Sequence, residues 1–218
     1  MHQTILFDRY TEIWKKFTQE VSQLSGELIN NDYSESGSLH ELLESLHPIP
    51  YCIAPEFFDG LTKDQEEKKR QNIGSVTGLF FELIAASIIK GYIIKRLPNA
   101  KIELNKCSNL EAQVISRDPD IFVIYKGRYV VFELKTSPKQ GDLVRTREHC
   151  ARYSELGHTK YFLVGGHVSA NANELERLLE DKWACFMSGS PRNKKNKLGQ
   201  FPRLDDLLAD AVAFLSAA

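Results

Sequence analysis

The sequence predicts an α/β domain with helical regions at both ends. Three observations carry this: helical apolar spacing near each terminus, two β-branched runs around a glycine turn, and a further apolar run after a helix-like stretch. In order, residues 5–30 place Ile5, Tyr10, Ile13, Trp14, Phe17, Val21, Leu24 and Leu28 at helical spacing, enough for one amphipathic helix or two. Ser34-Glu35-Ser36-Gly37-Ser38 reads as a polar loop, and 40–47 as a short helix that Pro48 and Pro50 end. Segment 51–74 is mixed, with the charged run 64–70 forming a solvated face. Residues 75–96 are apolar nearly all round, the pattern of a buried helix. Ile102-Glu103-Leu104 reads as a first strand, and a hairpin follows over 119–136. A helix over 142–156 leads to a strand at 161–164, closed by Gly165-Gly166. Helices near 171–182 and 203–216 complete the chain. One domain is expected: a helical N-terminal region (1–74), an α/β core (75–166), and C-terminal helices with a basic loop (167–218).

Composition narrows the class. A chain of 218 residues can bury a full core. Glu82 and Lys90 interrupt the longest apolar stretch and Lys95-Arg96 closes it, so it is not a membrane span. No N-terminal charged-then-apolar signal appears, and Cys52, Cys107, Cys150 and Cys185 make no zinc pattern; reduced thiols in the cytoplasm are expected. A formal net charge of −1 does not advertise a nucleic-acid binder, but positive charge can still gather on one surface.

The hairpin carries the chemistry. Residues 121–125 (Ile-Phe-Val-Ile-Tyr) and 129–134 (Tyr-Val-Val-Phe-Glu-Leu) are β-branched and aromatic, and Gly127 between them can take a positive φ. If Lys126 and Gly127 are the two central turn residues, Tyr125 faces Arg128 and Asp120 falls opposite Glu133. Facing side chains then have Cβ atoms about 4.5–5.5 Å apart, close enough for two carboxylates to share one divalent cation. Lys135, two residues beyond Glu133, joins the same face. A three-residue loop would instead set Asp120 against Leu134 and break the arrangement. Glu-x-Lys alone is weak, because Glu66, Glu67 and Glu180 also begin one in charge-rich helical segments. The one at Glu133 interrupts a strand and follows the only Pro-Asp in the chain, Pro119-Asp120.

These residues resemble the PD-(D/E)XK nuclease superfamily, over roughly residues 75–166, and among its members a type II restriction endonuclease is the nearest in kind. The resemblance implies a central mixed β-sheet flanked by helices, with helical additions at both termini. It implies that Asp120, Glu133 and the backbone carbonyl of Leu134 hold Mg²⁺, while Lys135 orients or helps deprotonate the attacking water. Many members carry a catalytic-site glutamate on the preceding helix, contacting the metal site directly or through water, and the resemblance places it here at Glu82. Glu82 is the only carboxylate of 75–96 and shares a face with Gly78 and Ala86, small neighbours that allow close approach. A salt bridge to a nearby Lys or Arg would also account for it.

The substrate implied is double-stranded DNA, cut to 5′-phosphate and 3′-hydroxyl ends; a palindromic site would call for a homodimer. Two groups of basic residues suit phosphate contact. Lys139, Arg145, Arg147 and Arg152 follow the catalytic strand, and Arg192, Lys194, Lys195, Lys197 and Arg203 lie in an acid-free, loop-like stretch. A solubilising surface would explain any single one of them. Ser137 and Gln140, just past Lys135, are further candidate DNA contacts. His149, His158 and His167 have no zinc spacing and read as structural, and Cys150 as a core helix residue. Competing readings are a repair nickase or junction resolvase with the same residues, and a non-catalytic nucleic-acid-binding module.

Overall fold

A computed structural model describes residues 38–46, 66–104, 119–168, 183–189 and 201–217. The expected helices over 5–30 and 171–182 lie outside these, as do Arg192, Lys194, Lys195 and Lys197. Among the described residues the chain is an α/β fold, a five-stranded mixed sheet with four helices packed against it. In chain order the elements are α1 (Leu39–Leu46), α2 (Glu66–Arg96), β1 (Lys101–Leu104), β2 (Ile121–Tyr125), β3 (Arg128–Lys135), α3 (Gln140–Glu155), β4 (Thr159–Val168), β5 (Ala184–Gly189) and α4 (Leu204–Ser216). No helix among the described residues is long and apolar enough to cross a membrane.

The strands lie in the order β1-β2-β3-β4-β5. β1, β2 and β3 pair antiparallel as a meander, and α3 then carries the chain over so that β4 runs parallel to β3, with β5 parallel to β4. Strand parity divides the core. Ile121, Val123, Val130, Phe132, Leu134, Phe162 and Val164 face α1, α2 and α4, while Phe122, Val131 and Tyr161 face Cys150 and Tyr153 of α3. On the first face α2 buries Phe81, Ile84, Ala85, Ile88, Ile89 and Ile93, at the three- and four-residue spacing of a single helix stripe.

Several sequence expectations needed adjusting. α2 starts at Glu66 rather than 75, so part of the charged run lies on this helix. It is not buried all round: Lys90, Lys95 and Arg96 are exposed and Ile94 is 40% exposed, because near its C-terminal end only one face meets the core. Gly165-Gly166 does not close β4, which runs on to Val168. The glycines are there because neighbours leave no room for side chains. A Cβ on Gly165 would collide with the Phe186 ring, and one on Gly166 would stand 2.6 Å from the Thr136 carbonyl oxygen. β5 was not anticipated. Its Ala-Cys-Phe-Met-Ser-Gly sequence has no β-branched residue, and its order comes from burial on both sides, with Cys185 and Met187 in one core and Ala184 and Phe186 in another. Cys150 and Cys185 are buried, and the Cys150 thiol donates to the Tyr161 carbonyl at 3.6 Å.

Helix α4 is locked to α1 by an unusual cap. The Asp205 carboxylate accepts hydrogen bonds from the Leu39 N–H at 2.9 Å, the His40 N–H at 3.0 Å and the Ser38 hydroxyl at 2.6 Å. These satisfy orphan donors of the first turn of α1 from a residue 166 positions away. Burial pushes the Asp205 carboxyl up, but these hydrogen bonds outweigh it and hold it below the usual carboxylate value. The carboxylate's contribution to stability is therefore present above the ordinary Asp pKa and lost as pH falls through the depressed folded value. Asp205→Ala should cost about 1–3 kcal/mol, read as a lower urea midpoint with an unchanged slope. Arg203 belongs to the same lock, with its guanidinium 2.9 Å from Glu41 and 2.8 Å from the Ser38 hydroxyl. Within the chain, Arg203 thus ties the start of α4 to α1.

Candidate active site

The hairpin turn sets the geometry. Lys126 (φ 48°) and Gly127 (φ 76°) both adopt the left-handed conformation, the arrangement of a two-residue type I′ turn. Tyr125 pairs with Arg128, and the ladder continues to Ile121 opposite Phe132. The next step of that register sets Asp120 opposite Glu133, at the open end of β2. Glu133 and Lys135 share the α3-facing side of β3 with Val131, as does Asp120 with Phe122 on β2.

Asp120 is tied to β3 by its side chain. Its Oδ2 accepts the Leu134 N–H at 2.6 Å, taking over where the backbone ladder stops. A strand residue directs its N–H and C=O to the same edge, so the Leu134 carbonyl is turned toward Asp120 as well. Lys135 Nζ lies 2.6 Å from Glu133 Oε1, with side chains 35% and 24% exposed. Two carboxylates, a main-chain carbonyl and an ammonium thus meet at the C-terminal end of β3.

Glu82 reaches this cluster from the opposite side of the sheet. Around it, α2 crosses the ends of β3 and β4. A Cβ on Gly78 would stand 3.6 Å from Thr136 Oγ1, and Phe81 lies against Gly166. The small residue at position 78 therefore does allow close approach. Burial, then the Asp120 charge, raises the Glu82 carboxyl to about 7; Lys135 opposes this and Glu133 adds to it. Asp120 is raised to about 6 by burial and by Glu133, against the pull of the Leu134 N–H and of Lys135. For Lys135, burial disfavours the charge, but the hydrogen bond and charge of Glu133, with Asp120 and Glu82, outweigh it and hold the ammonium above its ordinary value.

Three carboxylates against one ammonium leave two negative charges when all are ionised, and that excess adds to burial in raising the Glu82 and Asp120 pKa values. A divalent cation would relieve it. Among the described residues no three His, Cys, Asp or Glu side chains form a ready cage for a metal. The oxygens that Asp120, Glu133 and the Leu134 carbonyl would offer suit Mg²⁺, because that ion prefers oxygen and keeps several of its waters. The residues present therefore fit the metal expected from the sequence.

The raised carboxylates also predict how the metal-free protein responds to pH. Glu82 binds its proton more tightly when folded, so its contribution to stability is full below about pH 4.5 and is lost as pH rises through about 7. Glu82→Gln should remove that loss and stabilise the metal-free protein at pH 8 by on the order of 1–3 kcal/mol, with little effect at pH 4. Urea midpoints at both pH values check it; equal shifts at the two would rule out the electrostatic origin.

The other expected contacts are dispersed. Ser137, Lys139, Gln140 and Arg145 are exposed around the start of α3, and Arg147 is half-buried. His149 was missed. Its ring lies 5.6 Å from that of Tyr161 and 6.2 Å from that of Tyr153, and Glu133 is the largest charge acting on it. Burial and nearby Arg152 and Arg145 hold its pKa down, with Glu133 pulling the other way. Only the packing of α3 on the sheet brings it here, so no spacing in the chain could have signalled it. No protein-family model matches the chain, and no match was found among curated proteins.

Proposed function

We propose that this chain is a Mg²⁺-dependent endonuclease of the PD-(D/E)XK type that hydrolyses DNA phosphodiester bonds, acting as a homodimeric type II restriction endonuclease. The observation that carries the reading is the convergence of Asp120, Glu133 and Lys135 on one face at the open end of a hairpin, with Glu82 arriving from the helix behind. A five-stranded mixed sheet between helices is the scaffold this chemistry would use.

Asp120, Glu133 and the Leu134 carbonyl would hold Mg²⁺, which when bound supplies polarisation of the phosphate and stabilises charge on the leaving 3′ oxygen. Lys135 is positioned to do the rest. With its pKa raised it is an ammonium at neutral pH, so it acts by donating hydrogen bonds to the attacking water and to the charge building on the phosphate. Glu82 supports the site from behind, as a carboxylate facing Asp120 and Lys135. Water attacks phosphorus in line and releases a proton to solvent, the bond from phosphorus to the 3′ oxygen breaks, the 3′ oxygen takes up a proton from solvent, and 5′-phosphate and 3′-hydroxyl ends result.

Incubation of supercoiled plasmid with the protein and Mg²⁺ tests this. Discrete fragments on a gel are expected, with none in EDTA. Open circles alone would move the assignment to a nickase, and plasmid untouched at high protein concentration would refute the hydrolase.

A further inference from the structure

Helix α3 runs beside the candidate site, and its faces are unequal. Leu143, Thr146, Cys150 and Tyr153 point into the core. Arg145, His149 and Arg152 recur at i, i+4 and i+7, so they share one flank of the helix, whereas Arg147 lies about 200° from Arg145 on the opposite flank. The sheet shows which flank faces the chemistry. Tyr161 pairs with Val131 and Leu163 with Glu133, making Tyr161 and Glu133 diagonal neighbours on the α3-facing side. The His149 ring lies on Tyr161 at 5.6 Å, so the flank bearing His149 is the one beside Glu133. Arg145 and Arg152 are exposed on that flank, one helical turn to either side of the half-buried His149. Asp142 heads the same flank, three residues before Arg145, with its carboxylate accepting the Lys139 N–H at 2.9 Å, while Glu148 and Glu155 lie further round, toward solvent.

Resting on the nuclease reading, we propose that Arg145, His149 and Arg152 form a phosphate-binding track along α3 that leads a DNA strand to the Asp120–Glu133–Lys135 site, with His149 as its half-buried centre. Two guanidiniums and an imidazole about one helical turn (5.4 Å) apart suit successive backbone phosphates, and the track is continuous with the site. The carboxylates at its end would repel DNA, so neighbouring cations are needed to hold the strand there. Arg147 plays no part in this track.

The test is DNA binding by the full chain, measured by fluorescence anisotropy on a duplex carrying the cleaved sequence, with Ca²⁺ in place of Mg²⁺. Arg145→Ala and Arg152→Ala should each weaken binding several-fold and lower the slope of log K against log salt by about 1, while Arg147→Ala leaves both unchanged. His149→Ala should weaken binding and slow single-turnover cleavage in Mg²⁺, with His149→Gln recovering part of the affinity through its amide donor. Thermal melting confirms that each variant is folded. If Arg147→Ala matches or exceeds the other two, or if none changes the salt slope, the track is wrong although the protein binds and cleaves DNA. If the unmodified protein neither binds nor cuts DNA, the nuclease reading itself falls, and the track with it.

Discussion

Asp120→Asn is expected to abolish Mg²⁺-dependent DNA cleavage, by roughly 10³-fold or more, at every Mg²⁺ concentration. The substitution is selective. An asparagine oxygen can still accept the Leu134 N–H that Asp120 Oδ2 holds at 2.6 Å, so the end of the hairpin keeps its hydrogen bond while the charge is lost. Removing one of several crowded carboxylates also relieves repulsion, and the metal-free variant should melt no lower than the parent above pH 6. Lys135→Ala is the companion experiment, with cleavage lost and DNA affinity in Ca²⁺ retained. Full activity of either variant would remove the assignment. Together they separate the charge that binds metal from the charge that acts on the phosphate.

Gly166→Ala is expected to cost about 3 kcal/mol, at the upper end for overpacking, and to impair the site as well. The added Cβ would stand 2.6 Å from the Thr136 carbonyl oxygen and 3.3 Å from Phe81. That carbonyl accepts the His167 N–H at 2.7 Å, and Thr136 directly follows Lys135. Backbone cannot swing aside as a flexible side chain would, so β3 must shift at the residue that carries the ammonium. Gly141→Ala is the control. Nothing lies within 4 Å of its Cβ position, and in α3 the change should be neutral or stabilise by about 0.4–1 kcal/mol. Chemical denaturation of the two variants measures the contrast, and equal midpoints would contradict the packing described for β4.

The hairpin was legible in advance for local reasons. β-branched and aromatic residues favour extended backbone, a glycine admits the positive φ of a tight turn, and strand parity then assigns every side chain to a face. That logic put Asp120, Glu133 and Lys135 together, and the two-residue turn at Lys126-Gly127 bears it out. Glu82 was half-legible: a lone carboxylate in an apolar helix signals an unusual environment, and only the family resemblance pointed to the hairpin site rather than a salt bridge. The rest was hidden for a common reason. β5 has no β-branched residue and is ordered by cores on both sides. The glycines of β4 look like a strand end until Phe186 and Thr136 are seen beside them. Arg203 has the composition of a DNA contact and spends its charge on Glu41.

By itself, then, the sequence determined the hairpin, its register and the side of the sheet on which the polar residues stand, because those follow from short-range backbone preferences. Tertiary structure alone decided that Glu82 crosses the sheet end to reach them, that His149 rather than Arg147 flanks Glu133, and that β4 continues past its glycines. Each of these depends on packing between elements distant in the chain, where shape and charge select the neighbours and local spacing carries no information.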